Sequence, residues 1–298
     1  MCSLKAMWRT GRAERSSSDR INQRTWSGGR TLRAFDGGDA SPRSQWWSDA
    51  GERSAFLWVA PHVRGQPILD IGVGGGRTIP LAMLLSDDYV AIDYLPRMVA
   101  LCRKNFPTVD IRSGDVRDLR DFEDEQFGLV LFSFNGFDGI DHVDRTRALH
   151  EIQRVLRPGG FFVFSTHNKD GPVFAATPWR RAKAPQSWPW AYRALRLVGG
   201  LITDPGHYPR SIHNWYRFQS LNKDGGDWGM SVVRAHDFGL VLHFTTLTGQ
   251  TKALDEAGFD LAVAFEAEQG EPIMATTDTS YFHIVARKRE PGRQGRIS

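Results

Sequence analysis

The chain has 298 residues, of which 41% are hydrophobic and 24% charged, enough for one buried core with additions. It contains no 18-residue apolar run, which argues against a membrane partner, and its two cysteines, Cys2 and Cys102, point to a reduced, cytoplasmic setting without a disulfide framework. The formal charge of +4 sits at the ends: residues 1–43 carry nine Lys/Arg against four acids and residues 287–298 five against one, so the body is net negative and offers no basic groove for nucleic acid.

Residues 1–44 are rich in Arg, Ser and Gly without apolar periodicity and read as a disordered tail, and residues 290–298 read as a basic C-terminal tail. No apolar secretion segment is present, and Glu14 and Asp19 weigh against an organellar transit peptide. From Gln45 to His62 the spacing of Trp46, Trp47, Ala50, Phe56, Leu57, Trp58 and Val59 is roughly helical, with a stop at Pro61. The apolar run Pro67 to Ile71 then predicts a strand. It leads into Gly72-Val73-Gly74-Gly75-Gly76-Arg77-Thr78 and a segment with helical spacing, which makes a strand, a tight turn and a helix. Glycine at alternate positions allows positive φ and brings backbone N–H groups against a ligand. A dinucleotide turn wants G-x-G-x-x-G, and here the third glycine slot holds Arg77.

Tyr89 to Ile92 predicts a second strand ending in Asp93, placed where a carboxylate can accept both hydroxyls of a ribose. Pro96 suits a first helical turn, and Met98, Val99, Cys102 and Phe106 form one apolar face. A third strand near Val109 to Arg112 leads to Ser113-Gly114-Asp115-Val116. A continuously apolar fourth, Phe127 to Phe134, leads to Asn135-Gly136-Phe137-Asp138. A helix from about Val143 to Leu156 is stopped by Arg157-Pro158-Gly159-Gly160 before a fifth strand, Phe161 to Ser165. Near the far end Thr248 can cap a helix closed by Gly258, and Phe259 to Phe265 and Ser280 to Ala286 are strand-like.

At Asp70, Gly72, Gly74 and Gly76 the turn has the form acidic-x-Gly-x-Gly-x-Gly, and with Asp93, Asp115 and the Arg157-Pro158-Gly159-Gly160 turn the chain resembles the class I S-adenosylmethionine-dependent methyltransferases. The resemblance covers residues 45–167 and 240–289. It implies an α/β, Rossmann-like doubly wound sheet of seven strands with an antiparallel last strand. The methyltransferase domain would then span residues 45–289, with a lid inserted after the fifth strand at residues 168–240. It also implies S-adenosylmethionine as cofactor, held by Asp70, Gly72, Gly74, Gly76, Asp93, Tyr94 and Phe134, with Asp115 and Val116 meeting the adenine. Read on its own, Gly114-Asp115 is only a turn. In the family a helix before the first strand closes over the cofactor, so Trp46 or Trp47 either covers the sulfonium or anchors that helix on the sheet.

Residues 168–240 carry six prolines, five tryptophans (Trp179, Trp188, Trp190, Trp215 and Trp228) and His207, His213 and His236. An insertion after the fifth strand lies above the carboxyl edge of the sheet, which makes it the acceptor lid, its tryptophans shared between packing and pocket wall. Trp47, Asn135 and Trp215 are the expected acceptor contacts. The chain lacks the Asn/Asp-Pro-Pro-Tyr/Phe motif of amide and exocyclic-amine methylation after the fourth strand, and neither cysteine is placed for cytosine chemistry. The acceptor is therefore expected to be a small molecule in a biosynthetic reaction, methylated on a hydroxyl or carboxyl of a metabolite or sugar. A small amine is the alternative acceptor. A general base, where one is used, is expected to be histidine, with His236, His213 and His167 as candidates in that order. Asp138, Asp141, His142 and Asp144 with Asn168 suit magnesium, but they equally suit a solvated loop and a helix N-terminus, and no metal is expected. A nicotinamide-dependent reductase and a non-catalytic S-adenosylmethionine-binding protein remain the competing classes, and the oligomeric state, a homodimer included, stays open.

Overall fold

The computed structural model describes residues 16–27, 48–178, 206–274 and 277–290. Strands covered on both faces are mostly apolar, and every residue of β1 (Ile68–Ile71), β2 (Tyr89–Asp93) and β4 (Phe127–Phe132) is buried, Asp70 and Asp93 included. They lie in a parallel run ordered β3 (Asp110–Ser113), β2, β1, β4, β5 (Leu156–Asn168). β10 (Tyr281–Lys288) closes this run antiparallel to β5, from Tyr281 opposite His167 to Arg287 opposite Phe161, and β9 (Phe259–Glu266) pairs beyond it. The sheet is thus the expected doubly wound α/β sheet with an antiparallel end, but among the described residues it has ten strands where seven were expected, the other three coming from residues 223–245.

Helices α2 (Ala50–Val63), α3 (Ile79–Met83) and α4 (Pro96–Asn105) cover one face, where Ala55, Val59, Ile79, Val99 and Cys102 meet Ile68, Leu129, Leu131 and Val163. Helices α5 (His142–Val155) and α7 (Leu247–Glu256) cover the other, where Leu149, Ile152, Val155 and Leu254 meet Leu69, Val130, Phe162 and Ile284. The cap of α7 is Thr246 and not Thr248: the Thr246 hydroxyl accepts from the Gly249 N–H at 3.0 Å. Arg157-Pro158-Gly159-Gly160 makes no separate stop, because α5 passes directly into β5 at Leu156 and the run forms an irregular strand start, with Gly159 at φ +74°.

β5 outlasts its neighbour. β4 pairs with it as far as Phe132 opposite Phe164, and beyond that point His167 and Asn168 pair instead with Phe244 and Thr245 of β8 (Leu240–Thr245). The opposite edge of His167 is taken by Tyr281, so β8 stands on the edge that β4 vacates. β7 (Trp228–Val233) and β6 (Lys223–Asp224) continue antiparallel from it, and α6 (His207–Phe218) packs on the Ala235–Phe238 turn. The inserted element therefore includes β8 and reaches Thr245, five residues past the expected boundary.

Residues 17–26 depart from the expectation of a disordered tail through residue 44. They form helix α1 (Ser17–Trp26), capped by the Ser16 hydroxyl accepting from the Asp19 N–H at 3.1 Å. The buried residues of α1 are Ser18, Asp19 and Asn22, so its contact face is polar and leaves no apolar period to detect. Asn22 is fully buried. Its amide accepts from the Val241 N–H (2.9 Å) and donates to the Val241 carbonyl (2.7 Å) and the Gly139 carbonyl (3.3 Å), filling the bonding positions of a strand neighbour on β8. Trp46, Trp47, Trp179, Trp188, Trp190 and residues 291–298 of the basic C-terminal tail lie outside the described residues. No helix among the described residues is long and apolar enough to cross a membrane.

Candidate active site

The turn after β1 needs its glycines for two different reasons. Gly72, Gly74 and Gly76 sit at φ +67°, +55° and +95°, the left-handed region. A Cβ on Gly72 would strike the Phe132 ring at 2.7 Å, whereas one on Gly74 would meet nothing within 4 Å. Gly72 is a packing requirement, while Gly74 leaves open space over a bent backbone. The Gly74 N–H donates to Asp93 Oδ2 at 3.0 Å and the Leu95 N–H to Oδ1 at 2.8 Å, so one carboxylate at the end of β2 braces the turn. Asp93 is buried, which pushes its carboxyl upward against these two bonds, and each oxygen retains a lone pair for a ribose hydroxyl. Asp70 stands behind the turn: its Oδ2 accepts from the hydroxyls of Thr78 and Tyr89 (2.8 Å), and burial pushes its carboxyl up to about 6. It shapes the cradle and does not line the cavity.

Beside Asp93 lies a cleft lined by Trp26, Tyr94, Asp115, Val116, Phe132 and Ile140. Trp26 meets Tyr94 edge-on with ring centres 6.3 Å apart. Arg117 fixes Asp115 through Nε (2.9 Å) and Nη2 (2.7 Å), and its Nη1 bonds Asp19 of α1 and Asp144 of α5 (2.8 Å). Burial pushes the Asp19 carboxyl upward and Arg117 pulls it down, so α1 is held over the cavity by a buried charge pair. The open cradle at Gly74, a two-oxygen acceptor beneath it and a flat, partly aromatic cavity alongside fit an adenosine. Gly72, Gly74, Gly76, Asp93, Tyr94, Asp115 and Val116 are thus brought together. Trp26 and Arg117 were not among the expected contacts, and the Ser16-x-x-Asp19 capping pattern was the available signal for α1.

On the other side of the turn, Arg77 forms a two-pronged ion pair with buried Glu52 of α2 (2.5 and 2.7 Å) and donates to the Ser133 hydroxyl at 3.2 Å. Phe134 and Asn135 after β4 are both left-handed, at φ +54° and +55°; Phe134 is exposed under the Arg77 guanidinium, 5.4 Å away. The Asn135 N–H donates to Ser165 of β5 at 2.7 Å, which aligns the ends of the two strands.

The three candidate histidines lie in different places. His236 is exposed on the left-handed turn between β7 and β8, at φ +54°. The next residue, Asp237, ties α6 down by accepting from His207 Nδ1 (2.6 Å) and Arg210 Nε (2.9 Å). His213 is exposed on α6, and Trp215 packs with Met230 and Val232 of β7. His167 alone stands at the carboxyl edge of β5. Its Nδ1 lies 2.7 Å from Asp138 Oδ2, and fully buried Asp138 also accepts from the His167 N–H (2.7 Å), the Thr166 hydroxyl (2.5 Å) and Arg145 Nη1 (3.0 Å). A carboxylate that already meets three other donors accepts here, so Nδ1 is the donor of this pair and Nε2 is the nitrogen that faces away from Asp138. The other oxygen ligands considered for magnesium have separate partners: Asp141 caps α5 and accepts from Ser18, Asp144 holds Arg117, and Asn168 donates to the carbonyls of Thr277 and Thr279.

Residues 69–164 match the family described as a methyltransferase domain. A probable S-adenosylmethionine-dependent methyltransferase of Mycolicibacterium smegmatis is 33% identical over 112 residues, 37% of this chain and 42% of that protein. A ubiquinone biosynthesis O-methyltransferase of Alkalilimnicola ehrlichii is 23% identical over 191 residues, 59% of this chain and 68% of that one. The chain spans only 39 to 50% of the length of its first three curated relatives. Among solved structures, the Burkholderia thailandensis 1,6-didemethyltoxoflavin-N1-methyltransferase with bound substrate and S-adenosylhomocysteine is similar in fold, with a TM-score of 0.55 and 14% identity over 94% of each chain.

Proposed function

From a chain that carries a class I S-adenosylmethionine-dependent methyltransferase domain, we propose an enzyme that methylates a small molecule on a hydroxyl or carboxyl oxygen. The observation that carries this reading is the Gly74 cradle braced by Asp93, with the Trp26 and Tyr94 cavity beside it. The cofactor, when bound, supplies an electrophilic methyl group on a cationic sulfur. The chain's part is to bind, align and exclude water. Asp93 accepts the ribose hydroxyls, the 115–116 backbone and Trp26 enclose the base, and the Arg77–Glu52 pair borders the amino-acid end. The β6–β8 lid covers the acceptor above β5. The ubiquinone O-methyltransferase relative supports oxygen as the receiving atom.

Calorimetric titration with S-adenosylhomocysteine, with NADH in parallel, tests the reading. Binding of the first at micromolar concentration and none of the second is the expected result. Binding of NADH alone would return the chain to the reductases.

A further inference from the structure

We infer that His167, oriented by Asp138, is the general base that takes the proton from a phenolic acceptor. The inference rests on the methyl-transfer reading and narrows its acceptor to an aromatic hydroxyl compound. Its first support is position. Arg77 of the glycine turn bonds Ser133, and Asn135 two residues on bonds Ser165, two residues before His167. These contacts place His167 on the same sheet edge as the cradle, one strand beyond β4.

The second support is preorganisation. Asp138 meets four donors, one for each lone-pair direction, and Arg145 is itself pinned by the Phe137 carbonyl (2.8 Å) and Gln250 (3.1 Å), so the carboxylate is held from turning. It fixes the ring and its tautomer, and stabilises the imidazolium once formed. No described residue bonds Nε2, and the side chain is 15% exposed. Asp138 is a positioning residue, since it reaches the acceptor only through His167.

The third support is the surrounding chemistry. The His167 ring lies 5.0 Å from that of Phe244 and 6.2 Å from that of Tyr281, and Phe174 meets Phe244 at 5.3 Å. Phe244 is fully buried, so these rings hold the imidazole in place. A carboxylate acceptor is already ionised and has no proton to lose. A phenol, with an acidity of about 10 like that of tyrosine, gains from an imidazole base placed at its oxygen. In the step, the phenol O–H bond breaks and its proton moves to His167 Nε2. The oxygen forms the O–C bond as the S–C bond breaks, with that electron pair remaining on sulfur. The imidazolium then loses its proton to solvent.

The test uses the full chain and a labelled methyl donor with catechol, 4-nitrocatechol, benzoate and phenethylamine as probes. Label is expected in the two catechols. His167→Asn should leave S-adenosylhomocysteine affinity within a fewfold and lower kcat on catechol by on the order of 10²- to 10⁴-fold. The loss on the largely ionised 4-nitrocatechol should be much smaller. Asp138→Asn should lower kcat more than it alters KM and displace the pH profile. Nitrogen NMR of the wild type should show the Nδ1–H tautomer at His167, which together with the His167→Asn ratio carries the test should Asp138→Asn fail to fold. Label confined to benzoate or phenethylamine, label in no probe while S-adenosylhomocysteine binds, equal losses on both catechols, or an Nε2–H tautomer would each overturn the inference. Absence of S-adenosylhomocysteine binding by the wild type would instead bring down the methyl-transfer reading beneath it.

Discussion

Asp93 and Asp70 show how two carboxylates around one turn take different roles. Asp93 Oδ2 holds the Gly74 N–H and faces the cradle, so Asp93→Ala removes both the brace and the ribose acceptor. Losing hydrogen bonds to a charged group costs about 1.5–3 kcal/mol, which predicts S-adenosylhomocysteine binding weaker by roughly 10- to 100-fold in calorimetry. Unchanged affinity would place the nucleoside elsewhere. Asp70 is buried behind the turn, and its carboxyl is pushed up to about 6. Its folded pKa lies above the unfolded value near 4, so the folded protein binds more protons between these limits. Its contribution is therefore fully present below about pH 4 and is lost as pH rises through about 6, an effect of about 3 kcal/mol. Asp70→Asn keeps an oxygen for Thr78 and Tyr89 without a charge to bury. Urea unfolding should show it losing that slope and matching or exceeding wild type at neutral pH. A curve parallel to wild type across the window would contradict the assignment.

At the scale of elements, the contacts that tie the β6–β8 unit to the rest of the chain include the two-residue pairing of β5 with β8, the Asn22 amide on Val241, the Thr25 hydroxyl on the Gly239 carbonyl (2.7 Å) and a histidine pair. His142 at the start of α5 stacks on Trp228 of β7 with ring centres 3.6 Å apart, and its Nδ1 lies 3.0 Å from His243 Nε2 of β8. His243 Nδ1 is buried without a hydrogen-bond partner, which favours His243 Nε2–H as the donor, since a bare ring nitrogen is cheaper to bury than an N–H. Burial lowers the pKa of both rings, and Arg145 lowers them further; Asp141 works the other way on His142 and Lys223 with Arg145. With folded values below the unfolded 6.5, this contact is fully stabilising above that pH and is lost as pH falls through the folded values. Amides of β7 and β8, corrected for intrinsic rates, should exchange faster at about pH 5 than at neutral pH, and His243→Asn should remove the difference. Asn22→Ala leaves the buried N–H and C=O of Val241 unpaired, so it should loosen the same amides by about 2 kcal/mol or more; exchange unchanged at β8 would show that the Asn22 amide does not hold that strand.

Over the whole molecule, the sequence disclosed what depends on local pattern and concealed what depends on distant partners. β1, β2 and β4 were readable because strands buried on both faces are apolar runs, and Asp93 and Asp115 because each follows its strand at a fixed place. The Asp138–His167 pair joins residues 29 apart and Glu52–Arg77 residues 25 apart, and neither spacing carries a local signal. Helix α1 escaped because its buried face is Ser18, Asp19 and Asn22, and its attachment to Arg117 and Val241 becomes visible only once both partners are folded. That attachment gives α1 contacts on two sides: Trp26 and Asp19 line the cavity beside Asp93 while Asn22 bonds β8. A ligand filling the cavity binds only the state in which α1 is docked, and at 100 times its Kd it stabilises that state by about 2.7 kcal/mol. S-adenosylhomocysteine should therefore slow exchange in α1 and also in β8, which does not line the cavity. In Asn22→Ala the protection of β8 should fall away while Trp26 still responds in fluorescence. Equal protection of β8 in wild type and variant would mean that the coupling between the cavity and β8 does not pass through the Asn22 amide.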